Sequence, residues 1–182
     1  MEKSNKVIII DADVISHFIT GSLIIQLPHI FPFKIMMLDK VYAELERLPK
    51  RKCEIDHLLN LGLIQLLPFP EDNIEVKKEY AHIKKFMFKG DGEAACLAVV
   101  RHSKDILASS NLKDIAFYCK LHGIQYLTTM DFLCEALRLN IFTENQCDEF
   151  ILKVKNAGSK LPVKRIRDFK CSSFTFSQYR SL

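Results

Sequence analysis

Val7-Ile8-Ile9-Ile10-Asp11-Ala12-Asp13 is the stretch that decides the fold. An uninterrupted apolar, β-branched run predicts a strand buried on both faces, the habit of a parallel sheet covered by helices. The acidic pair at its end puts negative charge at the carboxyl edge of that sheet, where open α/β folds bind ligands. Two like charges 4 Å apart repel by about 4 kcal/mol in a medium of intermediate dielectric. The usual remedy is a cation. A helix cap at Asp13 accounts comfortably for one aspartate but less so for two.

From that strand, Lys6–Ile10, the pattern predicts a helix over 15–26 that ends before Pro28 and Pro32. A second strand covers 34–38, followed by a helix from Asp39 through Leu48 that stops at Pro49, and another over 54–61 closed by Gly62. A third strand at 63–67, a long helix at 72–88 and a small, apolar helix at 93–102 follow. Strands at 105–109 and 124–128 enclose a helix over 112–122, and helices at 130–139 and 143–156 complete the series. The alternation predicts an α/β fold, a three-layer α/β/α sandwich around a central, mostly parallel sheet of about five strands.

A chain of 182 residues suits one domain with a small appendage, and its 48% hydrophobic content is ample for a core. No stretch approaches the about 20 apolar residues of a membrane span. The acidic pair interrupts the only apolar run near the start, which argues against a signal peptide and for a cytoplasmic protein. Six cysteines without a CxxC pair predict free, mostly buried thiols, and no Cys or His spacing suggests zinc. The six histidines show no catalytic pairing and read as surface or satisfied core residues. From Lys153 onward there are eight Lys/Arg against one acid, Asp168, so a basic end follows an acidic body.

Two further acids fall on the wrong side of their helices. Val41, Glu44, Leu45 and Leu48 share core-facing helical spacing, and so do Glu93, Cys96, Leu97 and Val100. An ionised carboxylate beside a core is costly unless it is paired or bound to metal. Glu93 lies in a first helical turn, where the dipole favours negative charge, and Gly90 and Gly92 flank Asp91. In Ile106-Leu107-Ala108-Ser109-Ser110-Asn111-Leu112-Lys113-Asp114 a strand ends in polar residues. Were that strand to neighbour the first across a switch point, those residues would share a pocket with Asp11. Ser and Asn are also ordinary cap residues, and Asp114 and Asp131 suit ordinary helix starts.

With these segments placed, the chain resembles the PIN-domain family of metal-dependent nucleases, and most of all the small bacterial toxins of type II toxin–antitoxin pairs. The likeness spans roughly residues 6–160. The apolar strand ending at Asp11, the helical Glu44 between apolar residues, and Gly92-Glu93-Ala94 opening a small helix match the family's first three motifs. Gly123-Ile124 and the two helical segments after it are similar to one branch. The fourth motif departs: Ser109-Ser110-Asn111 stands where the family often has Thr-x-Asp.

The resemblance implies a PIN-like nuclease domain over 1–160 and a basic, aromatic tail over 161–182. It implies Mg²⁺ or Mn²⁺ on Asp11, Glu44 and Glu93, with Asp114 as a further catalytic acid. Asp13, Asp91, Ser109 and Asn111 would lie around them, holding water or substrate. Single-stranded RNA is the implied substrate, and a homodimer with a small antitoxin the implied assembly. Lys164, Arg165, Arg167 and Lys170, interleaved with Phe169, Phe174, Phe176 and Tyr179, are candidates for holding RNA, although packing of these rings on the domain or on a partner chain is the simpler expectation. Two alternatives are a catalytically weak RNA- or partner-binding module and a phosphatase similar to the haloacid dehalogenases. The latter would use Asp11 and Asp13 as its acid pair, yet Gly90-Asp91-Gly92 follows a helical pattern where that family has a strand.

Overall fold

Five short strands, all parallel, form the centre of the molecule. The computed structural model describes residues 6–87 and 90–172. The strands are β1 (Ile8–Ile10), β2 (Ile35–Leu38), β3 (Gln65–Leu67), β4 (Ile106–Ala108) and β5 (Tyr126–Leu127). Their order across the sheet is β3-β2-β1-β4-β5. β1 is therefore central, with Ile10 beside Met37 on one side and Ala108 on the other. All three isoleucines of β1 are fully buried, as the apolar run requires. The chain winds outward from β1 to β3 and then returns to β4, so the switch point lies between β1 and β4. Helices flank the sheet in the expected three-layer α/β/α arrangement.

The helices are α1 (Ala12–Thr20), α2 (Asp39–Leu45), α3 (Pro49–Asn60), α4 (Ile74–Phe86), α5 (Asp91–Ser103), α6 (Leu112–His122), α7 (Thr129–Arg138) and α8 (Glu144–Asn156). α5 packs on β1, β2 and β4, with α4 and α2 against it. Its alanines explain the close approach: Ala94, Ala95 and Ala98 are wholly buried. α1, α7 and α8 pack together, and Phe18 meets Phe132 and Phe150 there with ring centroids 5.9 and 4.9 Å apart. Thr128 with Asp131, and Thr143 with Gln146, close reciprocal caps on α7 and α8. Asp131 thus begins a helix, as its position suggested. No described helix is long and apolar enough to cross a membrane.

Several expectations need correction. The helix placed at 15–26 is in fact α1 plus a separate 3-10 segment, Ile24–His29, that contains Pro28. α1 starts earlier because Asp11, not Asp13, is its cap. α3 starts at Pro49, where the ring's fixed φ suits a first helical residue. The cysteines are not all free thiols: Cys134 of α7 is bonded to Cys171, while Cys96, Cys119 and Cys147 are buried thiols and Cys53 an exposed one.

From Leu161 to Phe169 the chain stays on the body. Leu161 and Ile166 are buried, Phe169 is partly so, and Asp148 of α8 accepts the Ile166 N–H at 2.7 Å. Lys164, Arg165, Arg167 and Lys170 are exposed. Phe174, Phe176 and Tyr179 lie outside the described residues.

Candidate active site

The carboxyl ends of β1 and β4 open onto one acidic basin. Asp11 leaves β1 at the sheet edge, and its backbone N–H still pairs with Ala108 of β4 at 2.9 Å. Its carboxylate caps α1 by accepting the Ala12 N–H at 2.7 Å, and its other oxygen lies 3.3 Å from the Ser109 hydroxyl. Asp13 lies one residue inside α1, yet turns back to the same edge. It accepts the Ser110 N–H at 2.7 Å and also lies 3.4 Å from the Ser109 hydroxyl. Ser109 has one proton for two acids. While it bonds one of them, the other faces an oxygen lone pair.

Glu44 and Glu93 come from the two helices that flank β1 and β2. The Glu44 carboxylate accepts the Gly92 N–H at 2.8 Å, one of the donors left open at the start of α5. The approach is close enough to explain the glycine. A Cβ at position 92 would meet Val41 Cγ2 at 3.1 Å and the Glu44 carboxyl carbon at 3.2 Å. One residue on, Glu93 accepts from the Asn111 side-chain amide at 3.1 Å, and the same nitrogen reaches Asp114 at 2.7 Å. Asn111 thus occupies the cap position of α6 without capping it with its side chain. It bridges two acids instead.

Electrostatics tie the group together. Burial, then the charge of Asp13, then those of Glu93 and Glu44 raise the pKa of Asp11 well above the ordinary carboxylate range, against the Ala12 bond that lowers it. Asp13 is raised by burial, though backbone donors at Ser110 and Val14 resist. Glu93 is pushed to about 7 by burial and by the neighbouring Asp114, with Asp13 and Glu44 adding to the rise. The charges that act most on Asp11 are thus all acids. The structure brings Asp11, Asp13, Glu44, Glu93, Ser109, Asn111 and Asp114 to one basin.

Asp91 stands at the edge of the basin, exposed, held by Tyr80 Oη at 2.8 Å and Lys84 Nζ at 2.6 Å. These two bonds lower its pKa. The tail residues Lys164, Arg165, Arg167 and Lys170 make no hydrogen bond or ion pair with the basin among the described residues. Ser110 and Thr129 were not candidates. Ser110 bonds both Asp13 and Thr129, and the Thr129 hydroxyl lies 2.9 Å from His17 Nδ1. His17 is buried and held neutral, its pKa lowered to about 4 by burial and by Arg51. Nothing local marks this chain of bonds, because it joins α1, the end of β4 and the start of α7.

No protein-family model matches this chain, and no curated protein does.

Chemistry at the basin is therefore read from its side chains. Its donors are all carboxylate, hydroxyl and amide oxygens, the set a hard divalent cation prefers. Among the described residues, no three His, Cys, Asp or Glu side chains are disposed to hold a metal ion as they stand. Glu44 and Glu93 each have an oxygen engaged by a protein donor. The donor type is the one Mg²⁺ or Mn²⁺ takes.

Proposed function

We propose that this protein is a metal-dependent endoribonuclease of PIN type that cleaves single-stranded RNA. The observation that carries the reading is the convergence of acids from β1, α1, α2 and α5 on one edge, where burial first and neighbouring acids second push Asp11 and Glu93 upward, with no cation among the strongest influences. Perturbed acids gathered in this way are a signature of functional sites.

On this reading Asp11, Glu44 and Glu93 hold Mg²⁺ or Mn²⁺. The ion supplies charge neutralisation at a scissile phosphate and lowers the pKa of a bound water. The chain's own groups do the rest. A carboxylate of the basin takes the proton from water. Asn111 orients Glu93 against Asp114, and Ser109 sets Asp11 against Asp13. Gly92 fixes Glu44 through its N–H. The reading carries with it a cytoplasmic setting, a homodimer and a small antitoxin partner, for which the motif resemblance is the support.

The phosphatase alternative loses its second motif, because Gly90-Asp91-Gly92 leads into α5 after α4 and not after a strand. The inactive-module alternative is favoured by one observation: neutral Asn111 stands where the family often has an acid. Calorimetry with Mn²⁺ and cleavage of a labelled single-stranded RNA, on wild type and Asp11→Asn, separate the readings. The nuclease binds Mn²⁺ and cuts, and Asp11→Asn loses at least a hundredfold in rate with its fold intact. Equal cutting by both proteins, or no Mn²⁺ heat with wild type, overturns the assignment.

A further inference from the structure

Beside the acidic basin, α2 and α4 present cations and aromatic rings together. Lys40 Nζ lies 4.7 Å from the Phe69 ring centroid and 5.1 Å from that of Tyr80. Tyr80 and Lys84 both bond Asp91, whose neighbour Gly92 holds Glu44 and is followed by Glu93. This surface is therefore joined to the lip of the basin by named bonds. At the end of α4, on the side of the helix turned about 200° from Lys84, Phe86 is 65% exposed, with Lys85 Nζ 5.1 Å from its ring centroid and the His82 ring tilted against it at 5.0 Å.

We propose that single-stranded RNA reaches the basin across the last turns of α4, passing from Phe86 and Lys85 around the helix to Lys84, Tyr80 and Lys40 at the lip. The inference rests on the nuclease reading for its direction, since it says from which side the substrate reaches the acids. Lysines follow a phosphate backbone and exposed rings stack on bases. A duplex hides its base faces, so an exposed ring among lysines fits a single strand better. The basin itself repels phosphate, which makes flanking cations necessary for approach. The basic tail is the rival route. Its segment up to Phe169 lies on α8, and it has no described bond to the basin.

The test is binding of a labelled single-stranded RNA to the full-length protein in chelator, where nothing is cleaved, measured across a salt series. Each phosphate contact contributes about −0.7 to the slope of log K against log salt. Lys40→Gln with Lys84→Gln is expected to flatten the slope by about 1.4, and Phe86→Ala to weaken binding about tenfold with the slope unchanged. Glu71→Gln releases Lys40 and Lys77 from a shared acid 3.5 Å from each, and is expected to tighten binding about twofold, a gain that misfolding cannot produce.

The inference is overturned if these variants bind as wild type does. It is also overturned if the slope follows Lys164, Arg165, Arg167 and Lys170 instead, or if polyglutamate displaces the RNA charge for charge. Failure of the nuclease reading looks different: binding depends on Lys40, Lys84 and Phe86 as expected, yet Mn²⁺ supports no cleavage. A wild type that binds no RNA at all ends both.

Discussion

Glu79 of α4 and Glu93 of α5 each bond a residue of α6 or its cap, and they are treated in opposite ways. Burial pushes Glu79 upward, but the Tyr118 hydroxyl and Arg101 guanidinium bond its carboxylate and bring it below the ordinary range. Its side chain is 13% exposed and its ion pair is complete. Glu93 is also withdrawn from water, yet its neighbours are Asp114, Asp13 and Glu44, and among the described residues the neutral Asn111 amide is its one side-chain hydrogen-bond donor. A fold able to neutralise one carboxylate with arginine and tyrosine leaves the other among its own kind. Stability explains the first arrangement. The second holds repulsion that folding alone has no use for, and that is what marks a site.

The sharpest break of this contrast is functional. Glu93→Gln is expected to lower Mn²⁺-dependent RNA cleavage by at least a hundredfold, about 3 kcal/mol in the barrier, whereas Glu79→Gln leaves kcat within about threefold. Rates on one RNA with both purified variants decide it. Comparable losses from the two substitutions would mean that both acids act only through the fold.

The second contrast is in stability, with the roles reversed. Arg101→Met strands the buried Glu79 carboxylate. Breaking a buried pair from one side costs about 3–5 kcal/mol, and Arg101 is 32% exposed, so about 2 kcal/mol is expected in urea unfolding. Glu93→Gln relieves repulsion in the metal-free protein and is expected to leave it as stable or more so.

The pH dependence sharpens the same point. Glu93 has a folded pKa raised from 4.5 to about 7. Its contribution is fully present below 4.5 and is lost as pH rises through about 7. Glu79 is lowered, so its contribution is present above 4.5 and is lost as pH falls below that value. His17, lowered from 6.5 to about 4, contributes above 6.5 and loses that contribution as pH falls toward 4. Taking the difference between wild type and Glu93→Gln at each pH cancels the His17 and Glu79 effects. In chelator that difference should move against wild type by about 2 kcal/mol between pH 5 and pH 8. A flat difference would show that Glu93 ionises freely in the folded protein.

Much of this basin was legible from local pattern. Ile8-Ile9-Ile10 could only be a doubly covered strand, which placed Asp11 at the sheet edge. The apolar spacing around Glu44 and Glu93 set both acids half-buried beside the core, although the helix expected to run through Leu48 ends at Leu45 and Leu48 is 47% exposed. What was not legible depends on which strands become neighbours. The Ser109–Asp11 contact joins residues 98 positions apart, and it follows from β4 lying beside β1, an order that no local pattern specifies. The same holds for His17 with Thr129, 112 positions apart, and for Cys134 with Cys171, where burial suggested thiols and three-dimensional proximity made a bond. Asn111 misled differently. Its position is that of a cap, yet its side-chain oxygen accepts no backbone N–H of α6, and its amide N–H group donates to Glu93 and Asp114 instead.

Gly92 provides the smallest and most discriminating effect, because it changes no charge. Gly92→Ala should gain helix propensity of up to about 1 kcal/mol, and the new methyl has Val41 Cγ2 at 3.1 Å and Glu44 Oε2 at 3.2 Å to accommodate. Val41 is fully buried and cannot yield readily. Glu44 is half-buried and can swing outward, so the strain falls on the carboxylate that the Gly92 N–H holds. Thermal stability should therefore change little, while Mn²⁺ affinity and cleavage fall about tenfold together. If Glu44 merely reaches solvent and takes no part in the basin, the same substitution leaves both at the wild-type level, and the acids that matter reduce to those of β1, α1 and α5.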